Sequence, residues 1–147
     1  MRISQCLCFI LVGLTWLPTA VCAAAEPKAT PLARQSAIST HMLNTSTGKP
    51  AAGVAVSLQR LDDETWETLG RWRTDEQGRV ANLSPPDTSM TAGIYRMVFG
   101  TKEYFDGQGF STFYPTIEVV FEIKNTDEHY HVPVLVSPFG YSTYRGS

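Results

Sequence analysis

The chain ends in the stretch 129–147, which reads HYHVPVLVSPFGYSTYRGS. Its apolar run, Val132 to Val136, is typical of a buried strand, and Ser137 to Gly140 indicates a break after it. An ordinary C-terminus is polar and frays, whereas this one adds two tyrosines and an arginine beyond the break. The end is therefore either a packed last strand with a loose polar tip, or a strand that carries Tyr144–Ser147 into a functional site.

The strand around His131 is apolar on both of its faces. Side chains alternate along a strand, so one face carries Tyr130, Val132, Val134 and Val136, and the other carries His131, Pro133 and Leu135. In a two-layer sandwich only one face of a sheet meets the core. A second subunit is the simplest cover for the other face, so the strand predicts an oligomer.

Upstream of this stretch, short segments of strand-like composition are separated by turn residues. The predicted strands are 36–43, 53–61, 65–74 with an interruption at Gly70, 93–99 and 116–124; a short helix is predicted at 102–107. Turn signals every 8–12 residues or so indicate an all-β fold, a β-sandwich of two sheets with one short helix.

Two of these segments alternate clearly enough to assign their faces. In 36–43, Ile38, Thr40 and Met42 share one face, and Ser39, His41 and Leu43 share the other. In 116–124, the apolar residues at 117, 119, 121 and 123 point one way. The sequence therefore predicts His41 on the same face of its strand as Ser39 and Leu43.

The N-terminal segment has the order of residues that is typical of a secretory signal peptide. Arg2 is followed by a mostly apolar run from Phe9 to Leu17, and then by small residues. We expect a signal peptide at 1–23, with cleavage after Ala23 or as late as 25, then a flexible lead-in at 24–35 and one domain at 36–147. A membrane anchor is disfavoured, because the run is shorter than the ~20 residues that a span needs.

Cysteine content and charge narrow the classes of function. All three cysteines lie at positions 6, 8 and 22, inside the predicted signal peptide, so the mature chain is expected to lack disulfides and thiolate ligands. Without Arg2, 11 basic residues stand against 14 acidic ones, a net charge of −3. No basic patch stands out, so nucleic acid and anionic membranes are not expected partners. We predict an exported protein, with the periplasm as its location.

Metal binding and nucleophilic catalysis are both weakly supported by the motifs. His129 and His131 are two residues apart and face the same side of a strand, and His41 could join them in a three-histidine zinc site. The sequence lacks the usual spacing around such a site, so no metal is predicted. No nucleophile elbow supports a Ser-His-Asp triad, and no phosphate loop or dinucleotide fingerprint is present.

A small polar set remains on the predicted β scaffold: His41, Arg79, His131 and the terminal Tyr144–Ser147. Each could be an ordinary surface or packed residue when taken singly. Together they suit a hydrolysis, because a neutral imidazole accepts a proton from water near pH 7 and an arginine stabilises a developing oxyanion. We expect water to attack an activated cyclic amide.

Two long segments resemble the signatures of one family. The stretch 38–51, ISTHMLNTSTGKPA, resembles the N-terminal signature of the 5-hydroxyisourate hydrolase branch of the transthyretin-like family, and 131–147 resembles its C-terminal signature. Gly78-Arg79 is similar to the internal arginine position of that branch. The resemblance covers the whole predicted domain, 36–147, with small departures such as Met42 and Asn44.

The resemblance implies a transthyretin-like sandwich that assembles as a homotetramer, with active sites at the dimer–dimer interface and no cofactor. It implies hydrolysis of 5-hydroxyisourate, the unstable product of urate oxidation. One of His41 and His131 would activate water while the other donates a hydrogen bond, and Arg79 would stabilise the oxyanion. The expected site residues at the C-terminus are Tyr144, Arg145 and Gly146 for substrate binding and Ser147 for catalysis.

The alternative to an enzyme is a carrier. The same family includes transthyretin, which has the same architecture and carries small hydrophobic ligands. The carrier branch lacks the terminal Tyr-Arg-Gly-Ser that ends this chain, so the hydrolase is the favoured interpretation.

Overall fold

The computed structural model describes residues 38–85 and 90–147. The predicted signal peptide at 1–23, the lead-in at 24–35 and the predicted start of the domain at Ser36 lie outside these residues. Among the residues that are described, no helix is long and apolar enough to cross a membrane.

Nine strands and one helix follow one another along the described part of the chain. They are β1 (Ile38–Asn44), β2 (Lys49–Pro50), β3 (Ala55–Asp62), β4 (Thr65–Arg73), β5 (Arg79–Val80), β6 (Gly93–Phe99), α1 (Thr101–Asp106), β7 (Ile117–Ile123), β8 (Tyr130–Ser137) and β9 (Gly140–Thr143).

The strands form two sheets. The first has the order β2-β1-β8-β9, with β5 also paired to β1, and the second has the order β4-β3-β6-β7. The pairing of β1 with β8 is parallel, and the other pairings in the described part are antiparallel. The predicted all-β sandwich of two sheets with one short helix is confirmed.

The core lies between the inward faces of the two sheets. In β1, Ile38 and Met42 are fully buried while His41 on the opposite face is half-buried. In β7, Ile117 is buried, and the opposite face of the strand carries Val120, with 57% of its surface exposed. Both predicted alternations are confirmed. Each large apolar side chain buried in this way contributes about 1.5–3 kcal/mol relative to an exposed one.

The helix connects β6 to β7 and was predicted one residue too late, at 102–107. It buries Thr101 and Phe105, and its backbone ends where the N–H of Gly107 bonds the carbonyl of Glu103. Phe105 is completely buried and forms an edge contact with Tyr104. The helix therefore seals one part of the core and takes no part in the face that carries His41.

Two local features differ from the sequence prediction. Lys49–Pro50, which lies outside the predicted strands, forms the short strand β2 against Leu43 and Asn44 of β1. The predicted interruption of the third strand at Gly70 is a change of register within a continuous β4, because Leu58 pairs with Gly70 while the next residue, Gln59, pairs with Thr68. A bulge of this kind bends a strand without ending it.

Gly78 closes the turn that leads into β5. Its φ is +71°, and an added Cβ would lie 2.4 Å from the carbonyl oxygen of Met42. Because the two backbones approach so closely, the N–H of Met42 donates a hydrogen bond of 2.7 Å to the carbonyl of Gly78. The turn is thereby held against β1, which fixes the position of the residue that follows it.

Gly78→Ala should destabilise the protein more than Gly48→Ala. Both glycines have a positive φ, which costs about 1–2 kcal/mol for an alanine, but only at Gly78 would the new Cβ meet backbone atoms; Gly48 has nothing within 4 Å. The clash should add about 1–3 kcal/mol. Urea unfolding at equal protomer concentration measures both, and equal losses would contradict the role assigned to Gly78.

Candidate active site

Strand β1 presents His41 on the outer face of the first sheet. The inward residues of β1 hold the strand in place: Thr40 is buried, and its Oγ1 donates a hydrogen bond of 2.6 Å to the carbonyl of Val132 in β8. Because side chains alternate, Ser39 and His41 then face outward together. His41 stands opposite Arg79 across β5 and opposite Pro133 across β8.

The turn 75–78 positions Arg79 on the same outer face of the first sheet as His41. The Oδ1 atom of Asp75 accepts backbone hydrogen bonds from Gln77, at 2.9 Å, and from Arg79, at 2.8 Å. In β5 the side chain of Val80 points into the core, so the exposed Arg79 points outward beside His41. The ion pairs within 38–85 and 90–147 do not include Arg79.

Strand β8 and the residue just before it add two histidines from the far end of the chain, His131 and His129. In the parallel pairing Ser39 lies opposite His131, two residues before the pair of His41 with Pro133. His131 and His129 are both half-buried, and their rings lie 6.4 Å apart with planes 16° from parallel. The outer face of the sheet thus gathers His41, Arg79 and His131, as the sequence predicted for a joint site.

The C-terminal tail lies against His131. The N–H of Gly146 donates a hydrogen bond of 2.8 Å to the carbonyl of His131. A Cβ on Gly146 would lie 2.4 Å from the Cδ2 atom of the imidazole, so the ring packs directly on the glycine backbone. Tyr144 and Ser147 on either side are exposed. Of the predicted tail residues, Gly146 is the one that the structure places in contact with a histidine.

Arg145 is held away from this face. One guanidinium nitrogen lies 2.8 Å from Oε2 of Glu128, and the guanidinium carbon lies 5.2 Å from the centre of the Tyr130 ring. Tyr130 belongs to the inward face of β8, so the predicted substrate-binding role of Arg145 would need this ion pair to break. Arg145 lines the groove between β7 and the tail together with His131, and His41 is not among the residues that line it.

The pKa of His131 is lowered from the ordinary histidine value of about 6.5. Burial of the imidazole is the largest cause, followed by repulsion from Arg79 and then from His129 and His41; a hydrogen bond with the backbone of Ser39 opposes them. Burial and Arg79 also lower the pKa of His41, against a hydrogen bond with the backbone of Gln77 and attraction by Asp75. Both imidazoles are therefore neutral at pH 7 and able to accept a proton.

Sequence reasoning assigned His129 only to a conceivable zinc site, and it assigned no role to Ser39. In the structure the Oγ of Ser39 lies 2.9 Å from Nε2 of His129 and 2.8 Å from Nδ1 of His131. The spacing of His129 and His131 was a usable signal, but the serine between them depends on the pairing of β1 with β8. Across the described ranges, no three His, Cys, Asp or Glu side chains are arranged to hold a metal ion.

A family model described as HIUase/Transthyretin family matches residues 38–146. The chain belongs to this family. Among its relatives, a 5-hydroxyisourate hydrolase of Salmonella typhi is 46% identical over 132 residues, which are 89% of this chain and 96% of the relative. The match begins at the first described strand and ends at Gly146, so it takes in every site residue except Ser147.

Solved structures of both branches of the HIUase/transthyretin family share the fold. The 5-hydroxyisourate hydrolase of Klebsiella pneumoniae is 40% identical with a TM-score of 0.67, covering 76% of this chain and all of that chain. Sea bream transthyretin in complex with thyroxine is 32% identical with a TM-score of 0.70, covering 75% and 94%. These matches confirm the transthyretin-like sandwich.

Arg79→Gln should raise the pKa of both His41 and His131, because it removes a positive charge that disfavours the imidazolium form of each. At any pH near those pKa values the protonated fraction should therefore increase. The chain has three histidines in all, so NMR titration of their ring signals can follow each one.

The matched control is Arg145→Gln, which removes the same charge from an arginine that is paired with Glu128. This variant should leave the pKa values of His41 and His131 where they are in the wild type. An unchanged titration in Arg79→Gln, or an equal rise in Arg145→Gln, would show that Arg79 does not act on the histidines.

Proposed function

We propose that this chain is a 5-hydroxyisourate hydrolase, which opens the six-membered ring of its substrate with water to give 2-oxo-4-hydroxy-4-carboxy-5-ureidoimidazoline. The observation that carries the proposal is the joint placement of His41, Arg79 and His131 on one sheet face, in a chain with hydrolase relatives at 40–46% identity. The reaction belongs to urate degradation.

The first step is activation of water by a neutral imidazole. One of the two histidines accepts a proton from water while the water oxygen bonds to a ring carbonyl carbon of the substrate. The lowered pKa of each histidine keeps its lone pair free at neutral pH. The carbon–nitrogen bond of the cyclic amide then breaks, and the leaving nitrogen receives a proton, so that water is added across that bond.

Arg79 is suited to the charge that develops in this step. Attack on the carbonyl puts negative charge on its oxygen, and a positioned cation stabilises that charge more in the transition state than in the substrate. The guanidinium is exposed and is directed to the same face as both histidines. Its repulsion of the imidazolium forms keeps the base neutral, so one side chain serves both parts of the reaction.

The tail is proposed to complete the pocket. Gly146 packs on the ring of His131 and fixes its position, while the exposed Tyr144 and Ser147 are proposed to bind substrate or to take part in catalysis. Arg145 is proposed as a further substrate-binding group, which requires release from Glu128.

A carrier of small hydrophobic ligands is the second candidate, and its support is the structural likeness to a transthyretin that was solved with thyroxine. The hydrolase is preferred because relatives of that name are more similar in sequence. In addition, two imidazoles and a guanidinium on one face offer little to an apolar ligand.

We propose assembly as a homotetramer with active sites at the dimer–dimer interface. Strands β7 and β9 are edge strands of their sheets, and Val120, Phe139 and Tyr141 on or beside them are large and exposed. Open edges with apolar side chains favour pairing with another chain. Light scattering at micromolar concentration should give four times the protomer mass; a monomer would contradict this assembly.

Export to the periplasm is proposed from the order of charged, apolar and small residues in 1–23. The mature chain should begin between 24 and 26. Mass spectrometry of the protein from the periplasmic fraction tests the proposal, which fails if Met1 is retained.

The hydrolase proposal is tested by following the absorbance of freshly generated 5-hydroxyisourate, with the spontaneous decay subtracted. His41→Asn and His131→Asn should each lower kcat by about 10²–10⁴-fold, the usual contribution of a general acid or base. Arg79→Lys keeps the charge and loses the planar fork, so it should cost about 10²–10³-fold.

Arg73→Lys is the control for the last variant. Arg73 is an exposed arginine of the second sheet that pairs with Glu103 at 3.0 Å, so its replacement should leave the rate within about twofold, since such pairs are worth little. A wild-type protein that does not exceed the spontaneous decay would reject the proposed function.

Gly146→Ala should lower activity without unfolding the chain, because the new methyl group must displace the imidazole of His131. Gly140→Ala is the control in the same tail: its added Cβ would meet only the Oγ of Ser137, at an ordinary 3.6 Å. Equal activity of the two variants in the absorbance assay would mean that the position of His131 does not depend on Gly146.

A further inference from the structure

A single hydroxyl group connects His131 of β8 with His129, the residue just before that strand. The Oγ of Ser39 lies 2.8 Å from Nδ1 of His131 and 2.9 Å from Nε2 of His129. Ser39 is 8% exposed, and the two rings are nearly parallel on either side of it. The hydroxyl is therefore fixed by its strand between two nitrogens that can each donate or accept a hydrogen bond.

The number of available protons limits which group can donate in each of the two hydrogen bonds of Ser39. A serine hydroxyl has one proton to donate and can accept two hydrogen bonds. It cannot donate to both imidazoles at once, so at least one of them must donate to it. The protonation of Nδ1 on His131 is thereby coupled to the protonation of Nε2 on His129.

Two arrangements of the hydrogen bonds that link His131, Ser39 and His129 matter for the chemistry. In the first, Nδ1–H of His131 donates to Ser39, and the hydroxyl donates to Nε2 of His129; the Nε2 atom of His131 is then bare and can accept a proton. In the second, Nε2–H of His129 donates to Ser39, and the hydroxyl donates to Nδ1 of His131; the proton of neutral His131 is then on Nε2.

We propose that Ser39 and His129 act with His131 as a hydrogen-bonded proton relay, with His131 as the water-activating base; the proposal rests on the proposed hydrolase function. Nε2 of His131 takes a proton from the attacking water. Nδ1 of His131 passes its proton to the Oγ of Ser39, which passes its own proton to Nε2 of His129. No atom is lost, and one positive charge moves from His131 to His129.

The surroundings of His131 favour this transfer. Arg79 and His41 both face His131, and with burial they lower its pKa, so an imidazolium at this position is disfavoured. The relay leaves a neutral His131 with a proton on its Nε2. When that proton passes to the leaving nitrogen, the hydrogen-bond chain runs in reverse, and His129 returns a proton through Ser39 to Nδ1 of His131. Ser39 and His129 are thus positioning residues that decide which nitrogen of the base is free.

The arrangement can be observed without substrate. NMR of protein labelled with ¹⁵N in its histidines, recorded above the pKa of the rings, distinguishes the two neutral tautomers. The chain has only three histidines, so His131→Asn identifies the signals of that ring. The wild type should hold His131 as the Nδ1–H form, and Ser39→Ala should weaken that preference, because the hydroxyl partner is gone and only the backbone of residue 39 remains.

Kinetics test the transfer itself. Ser39→Ala and His129→Asn should each lower kcat about 10- to 100-fold, less than the loss of a base, with KM nearly unchanged. The double variant should be no slower than either single variant, because each substitution alone already interrupts the hydrogen-bonded relay. Ser39→Thr keeps the hydroxyl and should recover most of the rate, and Ser57→Ala in β3 of the other sheet should have no effect.

The relay is overturned if His131 is the Nε2–H form in the wild type, if its tautomer is the same in Ser39→Ala, or if the two losses in kcat multiply in the double variant. His129→Asn tests it without altering β1, should Ser39→Ala fail to fold. A wild-type protein that does not hydrolyse 5-hydroxyisourate would reject the proposed function, and the spectra would still decide whether the hydrogen-bond chain exists.

Discussion

Seven consecutive residues of β1 pair in parallel with β8, and the site depends on the register of that pairing. It sets Ser39 opposite His131 and His41 opposite Pro133, so the residues of chemical interest lie next to one another on one face. A shift of one residue in either strand would turn its outward side chains into the core. The inward face prevents such a shift, because Ile38, Met42 and Val134 are fully buried.

The same pairing shapes the electrostatics. Together with the pairing of β5 to β1, it brings two histidines and Arg79 into a small area of the outer face, where partial burial and the charge of Arg79 both lower the pKa values of His41 and His131. Stability alone would not select such a cluster, because like charges that lie close together repel one another. Arrangements of this kind are typical of sites where perturbed pKa values serve catalysis. The hydrogen bonds of Ser39 to His129 and His131 fit that view, since they hold the rings in one orientation.

Local patterns in the sequence were sufficient to predict the fold class. Alternation has a period of two within each strand, so the two faces of β1 could be separated, and the inward face of β7 assigned, without knowing their neighbours. The extra strand β2 and the bulge opposite Leu58 were not predicted, because they are created by pairing with another segment.

The prediction that His41, Arg79 and His131 form one site depended on the resemblance of their segments to the signatures of one family. Nothing in the spacing of residues 41, 79 and 131 predicts that they meet, since parallel pairing joins segments about 90 residues apart. The ion pair of Arg145 with Glu128 and the contact of Gly146 with His131 depend in the same way on how the tail returns along β8.

The position of a bound ligand shows directly whether His41, Arg79 and His131 form the substrate site. A crystal structure with urate, the intact purine from which the substrate is made, should show the ligand on the outer face of the first sheet, in contact with His41, Arg79 and His131. The groove of about 270 Å³ between β7 and the tail is lined by His131 together with Val119 and Thr143. Urate bound there without contact to His41 or Arg79 would contradict a site built from all three side chains.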